Sequence, residues 1–250
     1  MNYKQLINQG ESFSKKIRTL KEKNSPQGFT WYGYDILANL SHLNATLSEN
    51  NLGFLNEIEG LPIADIGAAD GDLGFFFEAM GFNVDIIDWP KTNWNGLQGA
   101  YYLKQLLDSS NGIYEIDLDS FFTLPKEQYG LTLLLGILYH LKNPYYILEH
   151  LAKRSKFCFL STRVAQFTTD GSVDFSSIPI AYLLNPDECN NDSTNYWIFS
   201  HLGLNRIIER SGWEILDIKY LGNTIHSNPS SPENDERAFV LMKSKYLTEL

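Results

Sequence analysis

The stretch ADIGAADGDLG, residues 64–74, places three aspartates among three glycines directly after a short apolar run. A glycine-rich turn after a strand lets the backbone come close to a ligand. The dinucleotide fingerprint G-x-G-x-x-G has glycine at its middle position, where this chain has Ala69. Asp70 and Asp72 also place negative charge where a diphosphate would lie. The turn therefore disfavours a diphosphate and favours a ligand with a cationic end, because carboxylates attract an ammonium or a sulfonium.

Two further acids follow the next predicted strands. Asp88 ends the second strand, 21 residues after Gly67, where a carboxylate can accept both hydroxyls of a ribose. Asp117 ends the third strand. Ligands of open α/β sheets bind at the carboxyl ends of the strands, so acids at three successive strand ends predict one ligand site. Taken singly, the acids of the first turn could also cap the following helix, and Asp117 could be an ordinary turn residue.

The order Asp65-Ile-Gly67-Ala-Ala-Asp70-Gly71 resembles motif I, D-x-G-x-x-x-G, of class I S-adenosylmethionine (SAM)-dependent methyltransferases. The resemblance covers residues 60–244 and implies SAM as the cofactor. It places Asp88 at the ribose, Asp117 near the adenine amino group, and Trp89 and Leu118 against the base. The cofactor-binding residues that it implies are Asp65, Gly67, Ala69, Asp70, Gly71, Asp88, Trp89, Asp117, Leu118 and Gly136.

The segment LGILYHLKNP, residues 135–144, resembles the segment after the fourth strand in relatives of the tRNA wobble-uridine carboxymethyltransferase family. WYGYDILANL (31–40) and NNDSTNYWIF (190–199) strengthen the likeness to that family's uncharacterised bacterial relatives. The likeness implies that Tyr139 and His140 face the active site. His140 is the candidate base because imidazole titrates near neutral pH, and Tyr139 could offer its ring to a sulfonium. Each could instead have a purely structural role.

Asn143-Pro-Tyr-Tyr is similar to the Asn-Pro-Pro-Tyr tetrapeptide of amino-group methyltransferases, but it begins seven residues after Gly136 rather than at the end of the strand. It is better interpreted as a helix N-cap, with Pro144 at the first helical position.

The polar and aromatic stretch 165–200 is the candidate wall of an acceptor pocket, because long loops in compact α/β domains usually carry function. An ordinary hydrogen-bonded surface loop is the alternative. The candidate substrate-binding residues are Arg163, Asn191, Asn195 and Tyr196. The other histidines and the two cysteines show no ligand spacing, so no metal is predicted.

Apolar runs alternate with amphipathic stretches, which is typical of a parallel sheet covered by helices. Seven strands are predicted at 62–66, 82–88, 113–118, 131–136, 156–162, 213–222 and 237–244, and helices at 72–80, 95–109, 144–154 and 200–211. The last two strands have no helix between them and can pair antiparallel. The predicted fold is α/β: a Rossmann-like, seven-stranded, mostly parallel sheet with a C-terminal antiparallel hairpin edge and helices on both faces. A helical extension (1–59) precedes the methyltransferase domain (60–250), in one compact unit.

Composition limits the partners. The net charge of −10 disfavours nucleic acid, and a basic cluster at Lys15–Lys23 is interpreted as a solvated helix face. No apolar run reaches the ~18 residues of a membrane span, and the N-terminus lacks an apolar signal region. The cysteine pattern fits a reducing compartment. We therefore expect a cytoplasmic protein that acts on a small molecule and has no membrane or nucleic-acid partner; the oligomeric state is left open.

The leading function hypothesis is transfer of a methyl group from SAM to an oxygen or nitrogen of a small-molecule acceptor. A second hypothesis is modification of a tRNA wobble uridine with SAM or carboxy-SAM, in which Lys91 and Arg163 could bind the extra carboxylate. A third is a non-catalytic SAM-binding module. A nicotinamide oxidoreductase is disfavoured by Ala69 and the acidic turn.

Overall fold

The computed structural model describes residues 3–47, 53–230 and 232–247 of the chain. The chain forms two units, Met1–Leu133 and Leu134–Leu250. The predicted boundary between residues 59 and 60 stays a prediction.

Neighbouring strands of the sheet run through the first unit, and the last of them ends just beyond its boundary at Leu133. They are β1 (Ile63–Ile66), β2 (Val84–Asp88), β3 (Gly112–Glu115) and β4 (Tyr129–Leu135), in the order β3-β2-β1-β4. β2 pairs in parallel with both β1 and β3. All four residues of β1 are buried, as expected for a strand covered on both faces. The carboxyl ends of β1, β2 and β3 therefore lie at one edge of the sheet.

Among the described residues, five α-helices accompany these strands. They are α1 (Tyr3–Lys23), α2 (Asn39–Ala45), α3 (Phe54–Glu57), α4 (Asp72–Ala79) and α5 (Gln98–Leu107). The predicted helices at 72–80 and 95–109 are confirmed by α4 and α5. α1 packs on α4, where the rings of Phe13 and Phe76 meet edge to face at 5.7 Å. This contact holds the basic N-terminal helix against the helix that follows the glycine turn.

The second unit is built around an antiparallel pair. β5 (Ser155–Val164) pairs with β9 (Glu236–Ser244), and β9 also pairs with β8 (Trp213–Gly222). The helices are α6 (Pro144–Ala152) and α7 (His201–Arg210), which confirm the two predictions at 144–154 and 200–211. Asn143 caps α6 by accepting a bond from the Tyr146 N–H, with Pro144 first in the helix, which confirms the predicted cap.

The stretch 165–200 contains two strands that the sequence did not predict. β6 (Ala181–Leu183) and β7 (Trp197–Phe199) form an antiparallel pair, and Phe199 pairs with Val164 at the end of β5. The stretch also has a core of its own, formed by Ala165, Phe175, Leu184, Cys189 and Ile198. It is therefore a packed extension of the sheet, and the described residues contain nine strands rather than seven.

The α/β fold class, with mostly parallel strands and a C-terminal antiparallel pair, is confirmed. Within the described ranges, no helix combines the length and the apolar character that crossing a membrane requires.

Candidate functional site

The turn after β1 is shaped by three residues in the left-handed backbone region. Gly67, Ala69 and Gly71 have φ values of 69°, 53° and 81°. Glycine adopts this region freely, whereas alanine is strained there. A Cβ atom on Gly71 would also lie 3.0 Å from side-chain atoms of Ile86 and Phe75. Both conformation and packing thus require glycine at position 71, which brings the backbone close to β2.

Asp65 is buried at the end of β1. Its Oδ2 accepts a hydrogen bond of 2.8 Å from the backbone N–H of Gly74, so the carboxyl joins β1 to the first turn of α4. Burial raises the pKa of Asp65 to about 7; the Gly74 bond opposes the shift, and the charges of Asp88 and Asp72 add to it. Asp65 therefore exchanges its proton near neutral pH.

Asp88 ties the end of β2 to the glycine turn. Its Oδ2 accepts bonds from the Ala69 N–H (3.1 Å) and the Asn93 amide (2.9 Å), and its Oδ1 accepts one from the Trp89 N–H (2.7 Å). A carboxylate oxygen can accept about two hydrogen bonds, so Oδ1 retains one acceptor position. Burial raises the pKa of Asp88, against the three hydrogen bonds.

Asn93 is a site residue that sequence reasoning missed. Besides Asp88, its amide donates to the Ala69 oxygen at 3.1 Å, and its Oδ1 accepts from the backbone N–H groups of Asn95 and Leu97. It thereby fixes the loop between β2 and α5 to the glycine turn. The asparagines of the segment WPKTNWNG, residues 89–96, were the only available signal, and they indicate a turn rather than this contact.

Asp70 and Asp72 are bound by an ammonium group of the protein itself. Lys21 Nζ lies 2.8 Å from Oδ2 of each aspartate. Asp70 is 1% exposed and also accepts from the Tyr32 N–H (2.9 Å) and the Asn95 amide (2.8 Å). Both oxygens of Asp70 therefore accept hydrogen bonds from the protein itself, and its predicted role toward the cofactor stays a prediction. Neither aspartate caps α4, whose N-cap residue Gly71 makes no side-chain bond.

The burial of Lys21 was not predicted, because Lys21 belongs to a basic cluster of α1. The Lys15–Lys23 cluster predicted a solvated face, but the side chain of Lys21 is only 14% exposed and its Nζ lies 5.2 Å from the centre of the Trp31 ring. Burial lowers the pKa of Lys21, but the charges and hydrogen bonds of Asp72 and Asp70 more than offset this, so the pKa is raised overall. The lysine is therefore held charged beside the glycine turn.

The remaining predicted cofactor residues of the first unit follow β2 and β3 in the chain. Trp89 follows it directly and is half-buried, with Lys91 Nζ 5.7 Å from its ring centre. β3 ends at Glu115, so Asp117 lies in the turn beyond the strand, where it accepts a bond from the Asp119 N–H. Leu118 is buried. The roles of Trp89, Asp117 and Leu118 toward the adenine stay predictions.

In the second unit, Gly136 begins the segment that carries Tyr139 and His140. Gly136 has a φ of 73° and donates its N–H to the Ser161 oxygen of β5 at 2.9 Å. A single 3-10 turn, Leu138–His140, follows. The Tyr139 and His140 rings are 4.2 Å apart, and the backbone oxygen of Tyr139 accepts the Tyr196 N–H. The predicted residues Tyr139, His140 and Tyr196 are thus brought together.

The imidazole of His140 is anchored through one nitrogen. Nδ1 lies 3.0 Å from both the backbone oxygen and the hydroxyl oxygen of Thr194. A carbonyl oxygen can only accept, so this contact favours the tautomer with a proton on Nδ1 and leaves Nε2 basic. Burial lowers the pKa of His140, although the Thr194 bond and the Asp192 charge oppose it. Such a histidine is neutral near pH 7 and can accept a proton.

Arg163 does not line an open pocket. It lies inside β5, 1% exposed, opposite Arg237 of β9. Its Nε lies 2.9 Å from Asp235 Oδ1, and its other nitrogens donate to the Cys189 sulfur and the Asn228 oxygen. The predicted substrate role is corrected: the guanidinium cross-links buried parts of the unit.

The other predicted acceptor residues differ in placement. Asn191 is exposed and has a left-handed backbone, whereas Asn195 is buried and donates to the Cys189 oxygen. Tyr196 is half-buried, with Lys142 Nζ 5.8 Å from its ring centre. The described residues include no group of three His, Cys, Asp or Glu side chains that could hold a metal ion.

No protein-family model matches the chain, and no curated protein matches it significantly in sequence. Solved structures do match. The N-terminal domain of EvdMO1 with S-adenosylhomocysteine (SAH) bound is 15% identical, with a TM-score of 0.55 over 94% of this chain and 96% of that one. The SAM-dependent methyltransferase from Mesorhizobium loti is 15% identical, with a TM-score of 0.57 over 82% and 97%. The [4+2]-cyclase SpnF is 10% identical, with a TM-score of 0.54 over 88% and 84%.

At these identities the likeness shows the fold, which is the Rossmann-like α/β fold of class I SAM-dependent methyltransferases. The predicted fold class is therefore confirmed. Since a cyclase shares the fold, the reaction has to be argued from the site itself.

Proposed function

We propose that the protein is a SAM-dependent methyltransferase that acts on an oxygen or nitrogen of a small-molecule acceptor. The observation that carries the proposal is the link between Asp88, at the end of β2, and the left-handed turn after β1, through the Ala69 N–H. This link places the acid that a ribose would need beside a turn that closely approaches β2. The N-terminal domain of EvdMO1, whose fold is similar, has been solved with SAH bound.

The donors and acceptors at the turn fit such a cofactor. Asp88 Oδ1 keeps an acceptor position for a ribose hydroxyl, and Asp72 Oδ1 is buried without a hydrogen-bond partner in the described part of the chain. We propose that Asp88 holds the ribose, Trp89 and Leu118 the base, and Asp117 the adenine amino group. The negative charge of the turn suits a cation and opposes a diphosphate.

SAM would supply a methyl group on a sulfonium, which requires little covalent help from the protein. His140 would remove the acceptor's proton through Nε2 while Thr194 holds Nδ1. Tyr139 and Tyr196 would hold the acceptor by packing aromatic faces against it, which orients it and excludes water. The main contribution of the protein would then be to position the acceptor against the methyl group.

The carboxy-SAM alternative loses one of its two candidate residues. Arg163 is buried and bonded to Asp235, Cys189 and Asn228, so Lys91, which is exposed, is the remaining cation of that pair. The net charge of −10 further opposes tRNA. These observations favour a small acceptor and unmodified SAM.

The test is calorimetric titration with SAM, SAH, carboxy-SAM and NADH. Asp88→Asn should weaken SAM and SAH binding about 10- to 100-fold, since a hydrogen bond to a charged group contributes about 1.5–3 kcal/mol. Asp108→Asn is the matched control, because it removes the same charge from an exposed left-handed residue, a conformation that asparagine tolerates. A folded wild-type protein that binds neither SAM nor SAH would refute the proposal, and preferential NADH binding would indicate an oxidoreductase.

A further inference from the structure

The group around Lys21 holds more hydrogen-bonding capacity than it uses. Lys21 Nζ gives one N–H to Asp70 and one to Asp72, each at 2.8 Å. An ammonium carries three N–H donors, so one is left. The Trp31 ring packs beside the ammonium, with its centre 5.2 Å from Nζ. We call Lys21, Trp31 and Asp72 the Lys21 cluster.

Two other polar atoms of the cluster have no hydrogen-bond partner in the described ranges. Asp72 is 5% exposed, and its Oδ1 is buried and unpaired. The Nε1–H of Trp31 is likewise buried and unpaired. Native proteins leave few buried polar atoms unsatisfied, and a specific exception calls for an explanation. Asp70 is no such exception, since its two oxygens accept three hydrogen bonds.

The unused groups define the chemistry of a missing partner. Two donors, on Lys21 and Trp31, suit a carboxylate, and one carboxylate acceptor, on Asp72, suits an ammonium. A single small group that carries both charges is the zwitterion of an α-amino acid. The aspartate also lies directly after Gly71 of the glycine turn, the part of the chain proposed to approach the cofactor.

We propose that the Lys21 cluster binds the zwitterionic amino-acid end of the cofactor and that Lys21 is the residue that selects its carboxylate. This inference rests on the proposed function. Asp72 accepts from the ammonium through Oδ1, while its Oδ2 keeps Lys21 in place. Without Lys21, the aspartates of the turn would repel the carboxylate, so the lysine makes an acidic turn compatible with a ligand that carries both charges.

Calorimetry with four ligands measures how much the amino-acid end of SAM contributes to binding. SAM carries both charged groups, decarboxylated SAM lacks the carboxylate, 5′-methylthioadenosine lacks the whole amino-acid end, and L-methionine is that end alone. Lys21→Met should weaken SAM binding about 10-fold or more and leave 5′-methylthioadenosine unchanged. It should not weaken decarboxylated SAM, because Asp72 can still accept from the ammonium and the lysine charge that opposes the ammonium is gone. Lys15→Met, the same substitution at an exposed position of α1, should change none of them.

A second variant covers the case in which Lys21→Met fails to fold. Trp31→Phe keeps an aromatic ring beside Lys21 and removes only the Nε1–H and part of the ring. It should weaken SAM binding several-fold and leave decarboxylated SAM unchanged. Circular dichroism and thermal unfolding establish that each variant is folded.

The outcomes separate the inference from the proposed function. If the wild type binds no adenosyl ligand, the proposed function fails; L-methionine binding that Lys21→Met abolishes would then identify a free amino acid as the ligand of the cluster. If the wild type binds SAH and 5′-methylthioadenosine equally, only the inference fails. Equal weakening of every adenosyl ligand by Lys21→Met would reduce Lys21 to a structural role. Tighter SAM binding in that variant would mean that Lys21 competes with the cofactor's ammonium.

Discussion

At the scale of single residues, the candidate site is held together by acids that accept hydrogen bonds from backbone N–H groups. Ala69 occupies a left-handed conformation that costs an L-residue about 1–2 kcal/mol. Its N–H bonds to Asp88, and its carbonyl oxygen bonds to Asn93. These bonds on both sides of the residue keep the strained backbone in place. The turn therefore tolerates alanine where the dinucleotide fingerprint has glycine.

The protonation of His140 is a prediction that belongs to this scale. Because burial lowers its pKa and the Thr194 oxygen faces Nδ1, we expect the neutral Nδ1–H tautomer at pH 7 and a pKa below the ordinary value of about 6.5. Long-range ¹H–¹⁵N NMR over a pH titration measures both quantities. His140→Gln assigns the signal among the five histidines of the chain. An Nε2–H tautomer, or a pKa above 6.5, would contradict the base role.

At the scale of elements, the sequence predicted what depends on local pattern. Largely apolar runs of five to ten residues marked seven strands, and helices α4 to α7 lie where the sequence predicts helices. β6 and β7 were missed because a strand of three residues is too short to show a period-2 pattern. The predicted strand ends also placed Asp65 and Asp88 at the same edge of the sheet, which the parallel pairing of β1 and β2 confirms. This could be predicted because strands that are joined by a helix pair in parallel.

Contacts between distant elements could not be predicted. Lys21 meets Asp70 across 49 positions of sequence, and helical periodicity alone does not say which acidic pair a helix will cover. Arg163 looked like a pocket residue because it follows an apolar strand, yet its charge is met by Asp235 beside β9. Local sequence thus located the turn and the strand ends, while the partners of their side chains required the three-dimensional structure.

The ion pairs around the buried Arg163 of the second unit provide a prediction at the element scale. Asp235 lies 2.9 Å from both Arg163 Nε and Arg237 Nε, so it links β5 to the loop that precedes β9. Arg163→Met should lower the free energy of unfolding by about 3 kcal/mol, because the buried guanidinium loses its ion pair with Asp235 and its hydrogen bonds to Cys189 and Asn228. Urea unfolding measures this change.

Hydrogen exchange locates the effect of that substitution. Faster exchange is expected near Cys189 and Asn228, which lose their bonds to Arg163. Arg210→Met serves as the control, because it removes an exposed arginine from the same unit. If Arg163→Met lies within about 0.5 kcal/mol of the wild type, the range of ordinary surface substitutions, the network does not hold these elements together.

At the scale of the whole molecule, the main electrostatic feature is an excess of acidic residues. The net charge is −10 and the isoelectric point is about 4.9. Such a field repels polyanions and attracts cations, within a Debye length of about 8 Å at physiological salt. A cationic cofactor and a small acceptor are compatible with this charge. The buried acids near the turn add a pH dependence to the stability of the fold.

Asp65 is a buried acid whose effect on the pH dependence of stability has a defined sign. Its pKa is about 7 in the folded protein and near 3.8 in the unfolded chain, so between these values the native state holds a proton that the unfolded state has lost. Stability must therefore fall as pH rises from about 4 to about 7 and then level off. The full difference is worth about 4 kcal/mol, at 1.36 kcal/mol per pKa unit.

Asp65→Asn removes this titration and keeps an oxygen that can accept the Gly74 N–H. The variant should match the wild type near pH 4.5 and exceed its unfolding free energy by several kcal/mol at pH 8, since only the wild type must then bury a charge. Urea unfolding of both proteins across this pH range measures the difference, with Asp108→Asn as the charge-matched control. A difference that stays constant with pH would show that Asp65 is ionised throughout. Its bond to Gly74 would then have to stabilise a fully charged carboxylate beside Asp88 and Asp72.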